Sequence, residues 1–395
     1  MWQVHDVRDI WDLVVVGGGP AGSAAALRAK QLRPRARVLL LDKADFPRDK
    51  ACGDGIAAHG GDELALLGVP DLIADYRPTD RLSVISPGGA RVLATVARPN
   101  RVVPREVFDA RLVDAARARG VEVRRHRVRA IAARKDHVVV DDRLATRTLV
   151  AADGANSTVR RLAGIPAGPE RHTAIAVRGY ADVPVDDDVQ FIAMQQEGWP
   201  AYAWSFPIGD GTANIGFGML LPSLRATGLP GRQVLHGRLA ELLPDLPARR
   251  LKAHHLPLSP GRPKPGTGRV LLAGDAAGLV NPLTGEGIYY ALLSGRLAGE
   301  AAVEAVGDPL GAYRRTLRGA LGAHLLTTDV LARAAQSPRF IDAAIDVAAR
   351  RGEVFDLLVE VGLGAGTVPL PLALAVVGRW LRGGPPASAG VRRRG

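Results

Sequence analysis

The stretch from Asp12 to Asp42 constrains this 395-residue chain more than any other. An apolar run, Leu13 to Val16, leads into Gly17, Gly19 and Gly22 in GxGxxG spacing, then an Ala-rich segment, then a second apolar run ending on Asp42. Strand, glycine turn, helix and strand make a complete βαβ dinucleotide unit. Gly17 allows the tight turn, Gly19 with the small Ala21 lets a diphosphate approach the backbone, and Gly22 lets helix and strand pack closely. The helix N-terminus then turns unpaired N–H groups toward the phosphates. Asp42 stands where a carboxylate accepts the ribose hydroxyls of an adenosine, with Lys43 beside it. A glycine-rich turn in an ordinary α/β protein would need neither the second strand nor its terminal acid.

Composition bounds the rest. A chain this long suggests two intimately joined domains, and 47% hydrophobic with 23% charged residues excludes disorder except at the ends. The net charge of +12 comes mainly from scattered arginines, with no basic block interleaved with aromatics, so no nucleic-acid partner is expected. Solubility, or attraction to anionic lipid or a phosphorylated substrate, accounts for it. A single cysteine, Cys52, excludes an intrachain disulfide and a Cys-based metal cluster; no metal site and a cytoplasmic location are expected. The N-terminus lacks the pattern of a signal peptide.

Along the chain, the Pro- and Gly-punctuated loop after Asp42 carries Arg48, Lys50, Cys52, Gly53 and Gly55 and is read as ligand-facing. A helix is expected over 62–67, strands over 82–85 and 91–97, then a helix whose face holds Val107, Leu112 and Val113. Arg105 opens that helix, where a solvated charge is the simplest reading. Strands over 121–125, 128–133, 137–140 and 147–152 have the spacing of a meander, and the last runs into Asp153-Gly154. From 172 to 265 alternation dominates, with helical periodicity only at 233–243. In this region Tyr202, Trp204 and Phe206 share one strand face, as sheet core or cavity wall; periodicity alone favours core. At 269 a buried-type strand delivers Gly274-Asp275; after Pro282, Gly285-Glu286-Gly287 opens a helix whose N–H groups suit the electron-rich edge of a reduced flavin. Residues 310–358 read as helical. The uncharged stretch after Glu360 is split by Pro369 and Pro371, too short to span a membrane. It is either a helix covering the site or an interfacial segment followed by the basic tail Arg392 to Arg394.

Taken together, Gly17 to Gly22 with Asp42, Arg105, Asp153-Gly154, and Gly274-Asp275 with Pro282 and Gly285 to Ile288 resemble the glutathione-reductase-type flavoproteins of the aromatic hydroxylase superfamily. PRDKACGDG at 47–55, YAWSFP at 202–207 and NIGFG at 214–218 narrow this to a resemblance to the geranylgeranyl reductase family. The resemblance implies an α/β fold: an FAD-binding Rossmann-like domain (1–171 and 266–306), an inserted sheet-rich substrate domain (172–265) and a helical C-terminal region (307–395). It implies FAD as cofactor, with Asp42 on the adenosine ribose, the Cys52 to Gly55 loop beside the isoalloxazine, and Arg105 on the flavin side. Val128 would reach the adenine by its backbone, Asp275 the ribityl-pyrophosphate region, and Gly287 and Ile288 the pyrimidine edge. It also turns Tyr202, Trp204 and Phe206 from core into substrate wall.

The implied activity is reduction of C=C bonds in a hydrophobic prenyl-lipid or quinone, by hydride from FAD that NAD(P)H or a small electron carrier has reduced. Tyr202 and a water are candidate proton donors. The alternative from the same fold is a flavin monooxygenase or halogenase. Peripheral membrane contact is compatible with the C-terminal segment, and the sequence sets no oligomeric state.

Overall fold

The computed structural model describes residues 10–305 and 307–383. The first nine residues and the basic tail Arg392 to Arg394 therefore lie outside the described residues. β1 (Trp11–Val16), α1 (Pro20–Leu32) and β2 (Val38–Asp42) form the expected βαβ unit. Both strands are almost wholly buried, because an unbroken apolar run suits a central parallel strand covered on both faces. Next come β3 (Gly55–Ile56), α2 (Ala58–Leu66), β4 (Pro78–Ile85), β5 (Arg91–Val102) and α3 (Arg105–Ala118). β6 (Glu122–Arg125), β7 (Ile131–Ala133), β8 (Val138–Val140), β9 (Leu144–Ala151) and the short α4 (Thr158–Leu162) follow. A mainly extended passage contains β10 (Thr173–Asp182), β11 (Val189–Met194), β12 (Ala201–Pro207), β13 (Thr212–Leu220), α5 (Leu221–Ala226), α6 (Gly231–Leu242) and β14 (Arg249–Pro257). β15 (Gly266–Thr267) and β16 (Val270–Leu272) precede α7 (Ile288–Glu304), α8 (Pro309–Ala334), α9 (Pro338–Arg350), α10 (Gly352–Leu363) and α11 (Leu370–Arg382).

The first sheet runs β15-β16-β9-β1-β2-β6, with the β7–β8 hairpin attached to β9. β16, β9, β1, β2 and β6 are parallel, and their register sets Val16 opposite Leu41 and Ala151, and Ala151 opposite Leu272. The carboxyl ends of these strands therefore share one edge, which carries Gly17, Asp42, Asp153 and Gly274 from four separate stretches of sequence. Ligands of open parallel sheets bind at that edge.

The second sheet runs β14-β10-β13-β12-β11-β4-β5-β3, antiparallel except where β11 meets β4. The expected boundary at residue 172 does not follow this sheet, which takes β3, β4 and β5 from residues 55–102. Sequence spacing shows a hairpin there but not its partners. Its apolar face, Val84, Val92 and Val96, packs against Ala344, Val354 and Phe355 of the C-terminal helices. β6 also leaves the expected meander to pair in parallel with β2.

Among helices, α2 begins at Ala58 instead of 62, and α5 adds a turn within the sheet-rich passage. The expected run 310–358 is three helices, restarting at Pro338 and Gly352, residues that cannot continue a helix cheaply. On α3 the inward face is Phe108, Leu112, Val113 and Ala116, while Val107 is only half-buried.

Candidate active site

The site begins where β1 ends. Gly17 has φ +104°, and a Cβ there would fall 2.3 Å from the Ala152 carbonyl oxygen; one on Gly22 would fall 1.8 Å from that of Gly17. Only glycine fits either position, and the close approach draws the start of α1 onto the strand edge. Asp42 fastens the turn: its Oδ2 accepts from the Gly18 N–H at 2.8 Å and its Oδ1 from the Ala44 N–H at 2.9 Å.

Above Gly19 lies a charged cradle. A Cβ on Gly19 would meet Arg105 Nη2 at 3.6 Å, Arg48 Nη2 at 3.7 Å and Asp109 Oδ2 at 3.9 Å. Arg105 is 3% exposed and forks onto Asp109 with two 2.7 Å hydrogen bonds, while Arg48 Nη1 lies 3.0 Å from the same carboxylate. Arg105 is thus not a solvated end charge. Burial opposes its charge, but Asp109 outweighs burial and keeps the guanidinium protonated. Arg48 Nη2 also lies 3.8 Å from Asp42 Oδ2, so two guanidiniums are balanced by two carboxylates. The N–H donors and dipole at the N-terminus of α1, with these guanidiniums beside them, are what a diphosphate would meet.

Along the strand edge, Asp153 is spent on structure. Its carboxylate accepts from Ser157 Oγ and from the N–H groups of Thr158 and Val159, capping α4. Gly274 has φ +57° and packs toward Ala21, whose Cβ would lie 3.1 Å from a Gly274 Cβ. Asp275 pairs with Lys50 at 3.2 Å. Burial pushes the Asp275 carboxyl up, but Lys50, with Arg105 behind it, holds it below the usual range, so it is ionised. Lys43 is set apart: it lines a cavity of about 680 Å³ with Arg125, His126, Arg127, Arg129 and Arg143. Val128 is buried within that same loop.

The main cavity, about 1290 Å³, gathers most of the remaining expected residues: Cys52, Gly53, Gly55, Arg105, Asp275, Pro282, Gly285, Gly287 and Ile288. Tyr202, Trp204 and Phe206 line it too, with ring centroids 5.9 and 6.4 Å apart in succession. Trp204 is 6% exposed and the other two are half-buried, so periodicity alone misjudged this face as core. A Cβ on Gly53 would lie 3.6 Å from both Trp204 Nε1 and Phe206 Cε2, which places the aromatic wall against the Cys52 loop. Burial pushes the Cys52 thiol up, so it remains a neutral thiol. Leu358 of α10 and Leu372 and Val376 of α11 extend the apolar lining outward.

Residues 11–211 match a family model described as an FAD binding domain. A menaquinone reductase of Mycolicibacterium smegmatis is 33% identical over 375 residues, covering 89% of this chain and 90% of its own. A digeranylgeranylglycerophospholipid reductase of Methanopyrus kandleri is 33% identical over 318 residues, 75% of this chain and 78% of its own. The chain belongs to the geranylgeranyl reductase family of FAD-dependent oxidoreductases. A geranylgeranyl bacteriochlorophyll reductase-like protein from Thermoplasma acidophilum shares the fold, with TM-score 0.75 at 20% identity, covering 93% of this chain and 96% of that one. The geometry fits FAD: the N-terminus of α1 with Arg48 and Arg105 over Gly19 for the diphosphate, and a cavity beyond it flanked by Cys52 and the start of α7. Bound there, FAD supplies two-electron chemistry; the reductase's own residues bind it, orient substrate and manage protons.

The cavity and its loop also hold polar residues that sequence spacing does not single out. Arg178, 1% exposed, donates to the carbonyl oxygens of Lys50 and Cys52 and to Asp49, clamping the loop from β10. Asp54, fully buried with φ +59°, accepts at Oδ2 from Tyr180 Oη and Asn214 Nδ2, both at 2.7 Å, while Oδ1 has no partner. Burial pushes its carboxyl up to about 6. His254, driven down to about 4 by burial and Lys50, is neutral in the cavity wall. Asp54 and Glu286 sit inside motifs already noted, CGDG and GEG, which were read for their backbone only. Arg178 and His254 are single polar residues on strands, and spacing gave no signal for them.

Proposed function

We propose that this reductase saturates isolated C=C bonds in a polyprenyl chain of geranylgeranyl or menaquinone type, using FAD reduced between turnovers by NAD(P)H or a small electron carrier. The observation that carries this reading is the main cavity, whose aromatic wall of Tyr202, Trp204 and Phe206 continues into Leu358, Leu372 and Val376. An isolated alkene offers neither charge nor hydrogen-bonding handle, so its recognition rests on apolar surface. It is also a poor hydride acceptor. Close stacking and exclusion of water then supply much of the rate.

A substrate of this kind resides in lipid. No helix among the described residues is long and apolar enough to cross a membrane. We place the protein in the cytoplasm, drawing substrate from a membrane surface through α11, which has Leu372, Ala373, Val376 and Val377 on the cavity and Leu370, Leu374 and Leu381 exposed on its other side.

The test is anaerobic turnover. FAD-loaded protein reduced with dithionite is incubated with menaquinone and with geranylgeranyl lipids, and products are weighed by mass spectrometry. Two-hydrogen increments are expected. An absolute requirement for oxygen, with hydroxylated or halogenated products, would overturn the reading in favour of a monooxygenase or halogenase.

A further inference from the structure

Saturating an alkene consumes a proton as well as a hydride, and the groups lining the cavity differ sharply in their ability to give one. Asp275 is ionised against Lys50, and His254 is neutral, with no imidazolium proton to release. Asp54 keeps its unpartnered Oδ1 sealed from the cavity, with no accessible surface on that atom. The Tyr202 hydroxyl is pushed up by burial and already donates to the Thr284 carbonyl oxygen. Arg105 and Arg178 hold their protons against Asp109 and Asp49. Burial pushes the Cys52 thiol up, making it a still weaker acid, and lowers His172 so that it is neutral. Lys50 is held against Asp275, which leaves Glu286, between Gly285 and Gly287 in the cavity lining at the start of α7.

We propose that the Glu286 carboxyl delivers the proton to the alkene carbon that does not receive hydride. This rests on the prenyl-reductase reading above. Glu286 Oε1 accepts from the Tyr289 N–H at 2.9 Å, which holds the carboxyl over the helix start, beside the Gly287 and Ile288 N–H groups. That is the segment whose backbone is expected to meet the pyrimidine edge of the flavin, so the acid would stand on the same side of the cavity as the cofactor. Tyr202 and Tyr290 face it, and a Cβ on Gly287 would lie 3.7 Å from Asp275 Oδ1. Burial pushes the Glu286 carboxyl up to about 7 against the pull of those N–H groups. A general acid works best with its pKa near the working pH, and separated values sort acids from bases among neighbouring carboxyls. Here Glu286 holds a proton and Asp275 does not.

The step balances. The alkene π bond breaks, one carbon gains a hydride from the reduced flavin, and the other forms a C–H bond with the Glu286 proton. The O–H electron pair stays on the carboxylate, which takes a proton from solvent before the next turnover. The flavin ends oxidised by two electrons and the chain reduced by two.

The experiment compares wild type, E286Q and E286D as FAD-loaded proteins. E286Q is expected to bind FAD and be reduced by dithionite as wild type is, yet to slow about 100-fold or more in single-turnover oxidation by a prenyl substrate. The wild-type rate falls as pH rises through about 7; E286Q lacks that limb, and E286D keeps it at a lower rate. Independently of turnover, the infrared difference spectrum of wild type minus E286Q contains a protonated-carboxyl band that titrates in that range, the contribution of Asp54 being common to both proteins. Wild-type turnover with an unimpaired E286Q, or absence of that difference band, overturns the proposal alone. A wild type that reduces no prenyl substrate overturns it together with the reading beneath it.

Discussion

The indole N–H of Trp204 donates to the side-chain oxygen of Asn214 at 2.8 Å, while the amide nitrogen of the same Asn214 donates to the Cys52 carbonyl oxygen and to Asp54 Oδ2. One asparagine, able to donate and accept at once, thus ties the aromatic wall of the cavity to the Cys52 loop. Across the β12–β13 ladder Trp204 stands opposite Gly216, where a Cβ would fall 2.2 Å from the ring's Cζ2. YAWSFP and NIGFG are therefore one device: a ring, its anchor and its slot.

Replacing the anchor tests this. Asn214→Leu keeps the volume but removes the acceptor from Trp204 Nε1 and a donor from Asp54 and from Cys52, in a fully buried setting. Each stranded polar group costs about 1–3 kcal/mol, and Asp54 and Cys52 keep second partners in Tyr180 and Arg178, so a total loss of about 3 kcal/mol is expected by urea unfolding of the FAD-loaded protein. Substrate KM should rise more than kcat falls, because the ring is misplaced and the hydride geometry is not. A loss below about 1 kcal/mol would show that the tie carries no strain.

Filling the slot should misplace the same ring by another route. In Gly216→Ala the new methyl meets the Trp204 ring and, at 2.5 Å, the Val177 carbonyl oxygen. We expect FAD binding to persist and substrate KM to rise about 10-fold, which is 1.4 kcal/mol of lost binding. Adding Trp204→Phe, which shortens the ring, should recover part of the loss in a double-mutant cycle. Additive losses would place the damage in the β10–β13 ladder instead.

Asp54 has a pH signature. Its carboxyl is raised from 3.8 to about 6 in the folded protein, so between those values the folded chain holds a proton that the unfolded chain has lost. Stability accordingly falls as pH rises through that window and is level above it, by on the order of 3 kcal/mol. In Asp54→Asn the amide oxygen still accepts from Tyr180 and Asn214, and the titration disappears. Urea unfolding at pH 4, 5, 6 and 7 should show wild type losing stability relative to the variant. Glu286 titrates in both proteins and cancels. A constant difference across the series would refute the assignment.

What could be read beforehand followed from range. The dinucleotide unit is contained between Asp12 and Asp42, so all of its requirements fall within one short contiguous stretch of chain. The cradle over Gly19 is different: Arg105 and Asp109 sit four apart, the spacing of a helical ion pair, yet nothing local says that this turn of α3 faces Gly19 and not solvent. The pairing of β4 with β11 joins residues about a hundred apart, and alternation specifies a face but not a neighbour. Tyr202, Trp204 and Phe206 share one strand face, but core and cavity wall have the same periodicity, and it took the family resemblance, and then the C-terminal helices across the gap, to distinguish them. Asp54 and Glu286 were hidden by glycine neighbours that drew attention to the backbone.

The last prediction concerns how a lipid-borne substrate reaches the cavity. On α11, Leu372, Ala373, Val376 and Val377 line the cavity, while Leu370, Leu374 and Leu381 are 70%, 60% and 75% exposed. Trp380 is partly exposed nearby against Phe340, and Arg379 is tied to Asp346, which leaves Arg382 as the helix's other cation in its last turn. A short helix apolar on both sides can lie flat in a headgroup layer with its inner face still on the cavity, the arrangement that a double substitution tests. Burying a leucine there yields about 2 kcal/mol, so Leu374→Asp with Leu381→Asp should reduce flotation with anionic phospholipid vesicles by well over 10-fold. Neither residue lines the cavity, so turnover of a short-chain substrate dispersed in detergent should remain at the wild-type rate. Undiminished flotation would mean that α11 only closes the cavity, and equal loss of detergent turnover would mean that the substitutions act on the fold.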